Sequence, residues 1–472
     1  MQVDLISRFI EKVRTTRKTI SVMGDAMIDQ YFSIEVKKIS SEFPIVCFLS
    51  KDTLPSAVFP GGAANTAFQL KNFNVAVYLS CFYDEPAEAI FLSDGVDLSR
   101  SIKVDSSIPI KKRFYDGDFP VFRWDVENIE KYDQSDINIL IERCCRSGSL
   151  IPDCDLLILS DYDKGLFACD NFNLLTQQTI IPTIVDPKGE NILKWKGCTV
   201  FKPNQEEAKK LSGKKEWKNQ CKYFHNTINC QSVVITREGK GVVGSYLKDD
   251  QIEYFEFTPK KVQNNVNSVI GAGDAFTSIL GLALVHNFSL LEAVEIAFYA
   301  GSVYVSKKYN TPITEEELLK LEDSIKSKFQ MPPKNRDYKL IMTNGCFDIL
   351  HEGHLDLLKY AKQIGDKLVV AVNSDKSVRR LKGDSRPINP LNYRMNFLAS
   401  LEFVDYVVCF EEDTPLELIN EIKPDVIVKS EPYTIDNVVG FGVVKDIRIF
   451  QKKIDISTTS IFNKWKEKEK EK

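Results

Sequence analysis

The chain has little that would tie it to nucleic acid, a membrane or an oxidising compartment. Across 472 residues, 62 Lys and Arg stand against 66 Asp and Glu, a net charge of −4. The strongly basic balance of a nucleic-acid binder is therefore absent. No apolar run in the sequence reaches the roughly 20 residues of a membrane span. The opening MQVDLISRFIEKVRTTRK mixes charges among periodic apolar residues, which predicts a helix and no export signal. The eleven cysteines are odd in number and contain no CxxC pair, so neither a zinc ribbon nor a thioredoxin-type redox site is written here. Cys221, His225 and Cys230 offer three metal ligands but no fourth lies near them, so core or surface thiols are expected. Scattered thiols point to a reducing cytoplasm. A Walker GxxxxGK[ST] and any internal repeat are also missing.

Hydrophobic residues make up 43% and charged residues 27%, enough apolar material for full cores in a chain of this length. The first half alternates short apolar runs (Thr19–Met23, Leu156–Leu159, Thr183–Val185, Thr199–Phe201, Ser232–Ile235) with helical stretches such as Ala63–Lys71 and Leu290–Ser306. That alternation predicts a mostly parallel sheet covered by helices, with ligands at the C-terminal strand ends. Ser33–Val46 and Ile108–Trp124 stand apart as extended hairpin material, a small lid sheet. After the helical Leu318–Phe329, two prolines and several charges in 330–337 mark a linker. The α/β rhythm then restarts with Lys339–Thr343, Lys367–Val372, Tyr406–Phe410 and Val426–Val428 as strands. The expected domains are 1–329 and 338–472.

Gly239-Lys240-Gly241-Val242-Val243-Gly244 fits the GxGxxG dinucleotide pattern. A pyrophosphate site needs a helix N-terminus there, whereas SYLKDDQIEYFEF follows and reads as strand, turn, strand. A hairpin is expected instead.

Asn267-Ser268-Val269-Ile270-Gly271-Ala272-Gly273-Asp274 precedes the apolar run AFTSILGLAL. Small residues let the backbone approach an anion, and a following helix aims its first N–H groups at it. Asp274 either takes the proton of an attacking hydroxyl or complements the helix dipole. Asp25 and Asp29 follow the first strand, and Pro60-Gly61-Gly62-Ala63-Ala64-Asn65 opens the next helix with residues suited to sugar hydroxyls. Asn204 and Glu207 either hold Mg²⁺ through water or form an N-cap with its capping-box partner.

In this order GDAMIDQY, KKISSEFP, PGGAAN, SDYDKG, VDPKG, KPNQEEA and TREGKG resemble the ribokinase-like sugar kinases over residues 18–328, and among them the heptose 7-phosphate kinases. The resemblance implies a ribokinase-like α/β sandwich with a small β lid, working with ATP and Mg²⁺. It implies that Asp274 is the base and that Gly271, Ala272 and Gly273 form the anion hole. It places Asp25, Gly61, Gly62 and Asn65 at the sugar, and Lys111, Arg113 and Arg123 at its 7-phosphate. Thr236 and Gly239 join Asn204 and Glu207 on the nucleotide side, and a homodimer forms through the lid. The chain departs from the family pattern at Ser268, Ile270 and Tyr309-Asn310, positions that shape a monovalent-cation site, so a kinase-like half that only binds or dimerises is the rival expectation.

In the second half, Thr343-Asn344-Gly345-Cys346-Phe347-Asp348-Ile349-Leu350-His351-Glu352-Gly353-His354 runs from a strand end into a helix start. Three-residue spacing puts His351 and His354 on one helix face at its positive end. They serve as metal ligands, as donors to a triphosphate, or as a structural pair. A phosphate nucleophile is already ionised, so donors without a base suffice. The hydroxyl-rich Ile456-Ser457-Thr458-Thr459-Ser460-Ile461 either caps itself or binds phosphate. With AVNSDKSVRRLKGDSRPINP and EEDTP, this half resembles the HxGH nucleotidyltransferases over residues 338–464, in particular the heptose 1-phosphate adenylyltransferases. The resemblance implies a Rossmann-like domain in which His351 and His354 stabilise the transition state and Lys382 and Arg386 hold phosphates. Phe347, Asn373, Asp375, Lys429 and Thr458 line the nucleotide site. Ser430-Glu431-Pro432 departs from the branch at a loop that bears on the nucleotide, which leaves CTP or another sugar as alternatives. Together the two halves imply a cytoplasmic enzyme of ADP-heptose biosynthesis acting on a sugar phosphate and ATP.

Overall fold

The computed structural model describes residues 4–39, 46–50, 53–93, 95–127, 132–169, 172–177, 180–237, 240–257, 270–350, 352–399 and 401–451. Contacts divide these into two compact units, the described residues from Asp4 to Lys320 and those from Leu321 onward. The division falls inside the helix Glu315–Ser327, ahead of the proline-bearing stretch 330–337, which contains neither helix nor strand. Phe329 packs into the second unit's core, and the N–H of Val407 donates to the carbonyl of Lys328.

The first unit is built on an eight-stranded sheet. Its order is Gln251–Phe257, Val242–Lys248, Ser232–Thr236, Val200–Phe201, Thr183–Asp186, Leu156–Ser160, Lys18–Gly24 and Val75–Ser80. All neighbours run parallel except at the first two strands. That exception disposes of the GxGxxG pattern. Ser232–Thr236 and Val242–Lys248 form an antiparallel pair, and a side chain at Gly244 would meet the carbonyl of Val233 at 2.2 Å. The glycine therefore serves strand contact, with no helix N-terminus to receive a pyrophosphate.

The N-terminal helix Leu5–Thr15 buries Leu5, Ile6, Phe9, Ile10 and Val13 on one stripe, as its periodicity requires. The helix Ala272–Val285 is apolar nearly all round and is buried accordingly. Leu290–Tyr304 starts at a capping box in which Ser289 and Glu292 satisfy each other's N–H groups. A second sheet forms the lid. Ala26–Ile39 pairs with Val46–Ser50, Ala57–Gly62 and Ile110–Asp116, and the last of these pairs with Phe119–Val126.

The second unit holds a five-stranded parallel sheet in the order Tyr406–Phe410, Lys367–Asn373, Leu340–Gly345, Val426–Ser430, Asp446–Phe450. Alternate residues of these strands feed two separate cores. Ile341, Leu368, Val370 and Val372 face one side, and Leu340, Met342, Val369 and Ala371 the other. Both faces of a parallel sheet must be covered, which is why its strands read as unbroken apolar runs. The edge strand Asp446–Phe450 escapes that signal because every residue in it is only half-buried.

Candidate active sites

In the large sheet the strand order reverses between the neighbouring parallel strands Lys18–Gly24 and Leu156–Ser160, where open α/β sheets receive ligands. Asp25 follows the first strand and is 4% exposed. Its carboxylate accepts the N–H groups of Tyr162 at 2.9 Å, Lys164 at 3.1 Å and Leu166 at 3.1 Å, and so fixes the loop after the second strand. Burial and the neighbouring Asp161 push its pKa up to about 6 against those three donors. Expected at the sugar, the Asp25 carboxylate is in fact occupied with backbone.

Asp274 lies in the first turn of Ala272–Val285. Gly271, just before it, has φ +76°, and a side chain there would meet the Tyr304 hydroxyl at 2.3 Å and the Asn65 amide at 2.8 Å. Asp274 Oδ2 accepts Asn65 Nδ2 at 2.7 Å, and its Oδ1 accepts the Tyr162 hydroxyl. Gln69 donates to Asn65 Oδ1 at 3.0 Å, which turns the Asn65 amide toward the base. Asn65, expected at the sugar, is here a partner of Asp274. It is fully buried, and its amide is held at both ends. Desolvation pushes the pKa of Asp274 up to about 6, with Tyr162 and Asn65 opposing. A carboxylate at that value suits general-base work near neutral pH. Among the described residues nothing stands within 4 Å of where a Gly273 side chain would begin, so this turn faces open space.

The lid supplies the cations. Its register puts Lys111 and Arg113 on one face, with Arg123 opposite Arg113 and Asp29 beside Lys111. Arg113 is not available for a phosphate in this arrangement. Its Nε and Nη2 donate to Asp29 Oδ1 at 3.2 and 2.8 Å, and Asn310 donates to Oδ2 at 2.9 Å. A buried guanidinium neutralises a buried carboxylate before it serves a ligand. Arg123 is 57% exposed and pairs with Asp125 at 2.8 Å. Lys111 sits over the Tyr162 ring, its Nζ 5.2 Å from the ring centre, and burial lowers its pKa. Gly61 and Gly62 end the strand Ala57–Gly62, paired with Met27 and Ala26.

Of the residues expected at the nucleotide, Asn204 bridges to Thr236 across neighbouring strand ends. Asn204 Oδ1 accepts the N–H of Glu207 at 2.9 Å and Glu207 Oε2 accepts that of Asn204 at 2.8 Å, a complete capping box. Glu207 Oε1 also accepts Lys188 at 3.2 Å. Beside them Asp186 receives Lys202 Nζ and the Thr277 hydroxyl, each at 3.0 Å. Tyr162, Asp186, Lys202 and Asn310 carried no expected role. The loops SDYDKG, DPKG and KPN were legible as strand-end loops, but which side chains turn inward was not. Gly239 lies outside the described residues.

In the second unit the strand order reverses between Leu340–Gly345 and Val426–Ser430. Lys429 bridges that point, donating to the carbonyl of Asn344 at 2.9 Å and to its Oδ1 at 3.1 Å, and burial lowers its pKa to about 8. The loop beyond Gly345 passes through Phe347 at φ +47°, whose ring lies 5.2 Å from that of His354 in the first turn of Glu352–Gln363. Asp348 pairs with Arg386, both buried, and accepts the N–H of Asn389 at 2.8 Å. Arg386, expected at a phosphate, is thus engaged by a carboxylate for the same reason as Arg113. Arg394 went unforeseen. Fully buried, it donates to the carbonyls of Cys346 (2.6 Å) and Asn389 (3.0 Å) and to Asp375 (2.6 Å), so it ties loop to helix. Asn373 donates to the Ser377 hydroxyl at 3.0 Å. Lys382 is exposed at its helix end. His351 and Thr458, with the rest of 456–461, lie outside the described residues.

Among the described residues no group of three or more His, Cys, Asp or Glu is arranged to hold a metal ion, and no helix is long and apolar enough to cross a membrane. Cys221 and Cys230 are core thiols, while both ring nitrogens of His225 are engaged, by the Cys230 carbonyl and the Ser245 hydroxyl, each at 2.8 Å.

Comparison with known proteins identifies the two units. The pfkB family of carbohydrate kinases matches residues 56–317, and the cytidylyltransferase-like family matches 342–464. The first unit shares its fold with phosphofructokinase-2 from Escherichia coli, in a structure with potassium: the TM-score is 0.52 at 17% identity, covering 65% of this chain and 98% of that one. The bifunctional protein HldE of a Nitratiruptor species is 35% identical over 469 residues, 94% of this chain and 98% of its own. HldE of Campylobacter jejuni is 33% identical over 97% of this chain and all of its own length. HldE of Haemophilus ducreyi is 34% identical over 89% and 90%. Two sites on two different α/β units, matched along nearly the whole chain, leave one conclusion: this chain belongs to the HldE family of bifunctional proteins, a pfkB carbohydrate kinase and a cytidylyltransferase-like nucleotidyltransferase in one polypeptide.

Proposed function

We propose that the chain carries out two steps of ADP-heptose biosynthesis. In the first unit, Asp274 takes the proton of the C1 hydroxyl of D-glycero-D-manno-heptose 7-phosphate. The freed oxygen bonds to the γ-phosphorus of ATP, the bond to the β–γ bridging oxygen breaks, and ADP leaves. The N–H groups of Gly271, Ala272 and Gly273 meet the phosphoryl oxygens, and Lys111 meets the distal phosphate. The observation that carries this step is the buried Asp274, gripped by Asn65 and Tyr162 at a helix start where no described atom crowds Gly273. Asn204 and Glu207 offer only oxygen donors and fit a hydrated Mg²⁺, whose part is to neutralise triphosphate charge.

A separate phosphatase removes the 7-phosphate. In the second unit, a phosphate oxygen of heptose 1-phosphate bonds to the α-phosphorus of ATP as the bond to pyrophosphate breaks. His354, together with His351, donates to the oxygens that gain charge, and Lys429 with Asn373 and Asp375 lines the nucleotide. ATP as substrate and eleven free cysteines fit a cytoplasmic enzyme.

³¹P NMR of the whole protein tests both steps. Heptose 7-phosphate with MgATP should yield a 1,7-bisphosphate signal, and heptose 1-phosphate with MgATP a nucleotide-sugar diphosphate. Failure of the first tube alone would leave the kinase unit as a binding module, and a product with CTP but not ATP would change the nucleotide.

The lid's outer face supports a homodimer. Phe114 stacks on Phe32 and Phe122 at 4.8 and 4.2 Å, beside Phe48, and Phe48, Phe122 and Trp124 remain exposed. Apolar rings ranked along one exposed sheet face mark an association surface. Phe122→Glu should shift sedimentation from dimer to monomer. An unchanged dimer would move the interface elsewhere.

A further inference from the structure

The loop between Ser160 and Leu166 is held far more firmly than a strand-end loop needs. Asp25 accepts its N–H groups at 162, 164 and 166, and Asp161 Oδ1 accepts that of Asp163 at 2.8 Å. Asp161 is itself pinned, because its Oδ2 pairs with Lys194 at 3.1 Å and accepts the N–H of Gly189 at 3.3 Å. Asp163 takes φ +57°, the left-handed turn that lets the chain double back under these donors. All of this restraint aims one side chain, Tyr162, at Asp274 Oδ1, while Asn65 holds Oδ2. Lys111 Nζ lies 5.2 Å from the centre of the same ring.

We propose that Tyr162 is a positioning residue of the kinase step: its hydroxyl donates to Asp274, orients the base and favours its ionised form. The inference rests on Asp274 being that base. A phenol donates more strongly to a carboxylate than to a neutral carboxyl group, so its presence moves the proton equilibrium of Asp274 toward the anion. Burial and the charge of Asp186 work in the opposite direction while Lys202 favours the anion, and only ionised Asp274 can accept the proton of the sugar hydroxyl. As the C1 oxygen bonds to the γ-phosphorus and the bond to ADP breaks, that proton ends on Asp274. Tyr162 keeps its own, its pKa raised well above the ordinary value by burial and by Asp274. The immobile loop matters because a donor that could follow the carboxylate would fix neither its direction nor its charge.

The test is the pH profile of kinase kcat/KM in the full-length protein. Tyr162→Phe should move the acid limb up by about one pH unit, roughly a fivefold loss at pH 6 that approaches tenfold at pH 5, with little change above pH 8. An unmoved limb, or a uniform loss at every pH, would overturn the role of Tyr162. If Asp274→Asn retains kinase turnover, the base assignment itself falls and the inference with it. Should the phenylalanine variant melt early, fluorotyrosine at 162 keeps the shape and donates more strongly. It must then move the limb down, and a limb that stays or rises would overturn the inference.

Discussion

Asp274→Asn is expected to slow the kinase step by about 100- to 10,000-fold while adenylyl transfer continues at the parent rate. The substitution is close to isosteric and the site accommodates it. With its carbonyl oxygen toward Asn65 Nδ2 and its amide toward the Tyr162 hydroxyl oxygen, the new side chain keeps both hydrogen bonds now made by the carboxylate. What disappears is the basic oxygen. The loss should fall on kcat, because a proton acceptor acts in the transition state and not in sugar binding. Stability should move the other way. Asp274 is buried with its pKa raised to about 6 from the usual 3.8, so its contribution to folding is fully present below pH 3.8 and is lost as the pH rises through 6. A neutral asparagine escapes that cost, on the order of 2–3 kcal/mol for a shift of that size. The variant should therefore melt at a higher temperature than the parent at pH 8, with the gap closing toward pH 4. An active enzyme that gives up stability for an ionised buried base is the usual trade at a catalytic site.

His354→Ala should produce the reverse pattern: adenylyl transfer reduced by about 100- to 1,000-fold with the kinase untouched. His354 sits in the first turn of Glu352–Gln363, where the backbone N–H groups already favour an anion, and its ring leans on Phe347. Its donor is needed most when charge builds on the α-phosphate, so kcat should fall more than the KM for ATP rises. Phe347 is buried and the helix is anchored by Leu357, Leu358 and Ala361, so removal of a half-buried imidazole should leave the unit folded. Separate ³¹P assays of the two steps on both variants decide the matter. Loss of both activities from either substitution would sink the assignment of two independent sites.

Most of the scaffold was readable before any coordinates. Strands such as Leu156–Ser160 and Lys367–Asn373 are unbroken apolar runs because their sheets are covered on both faces, and their ends were located within a residue. The helix start at Gly271–Asp274 was equally plain, since a left-handed glycine ahead of an apolar run has few other uses. The Asn204–Glu207 spacing was readable in two ways, and the capping box is present. Side-chain roles fared less well. The family resemblance credited Asn65, Arg113 and Arg386 each with a ligand contact. Each is occupied by a protein partner.

The sequence by itself determined that there are two α/β units, where the helix starts at Gly271–Asp274 and Glu352–His354 lie, and which family they form. Those features depend on local periodicity, on glycine's backbone freedom and on residues a few positions apart. Only the tertiary structure decided which charge faces which. Asn65 reaches Asp274 across 209 positions, Tyr162 reaches it across 112, Arg113 meets Asp29 across 84 and Arg386 meets Asp348 across 38. In a buried, weakly polarisable interior an ionic or polar group must find a partner, and the partner is whatever the fold brings beside it. No local pattern carries that information, because the pairing is set by strand order and loop path.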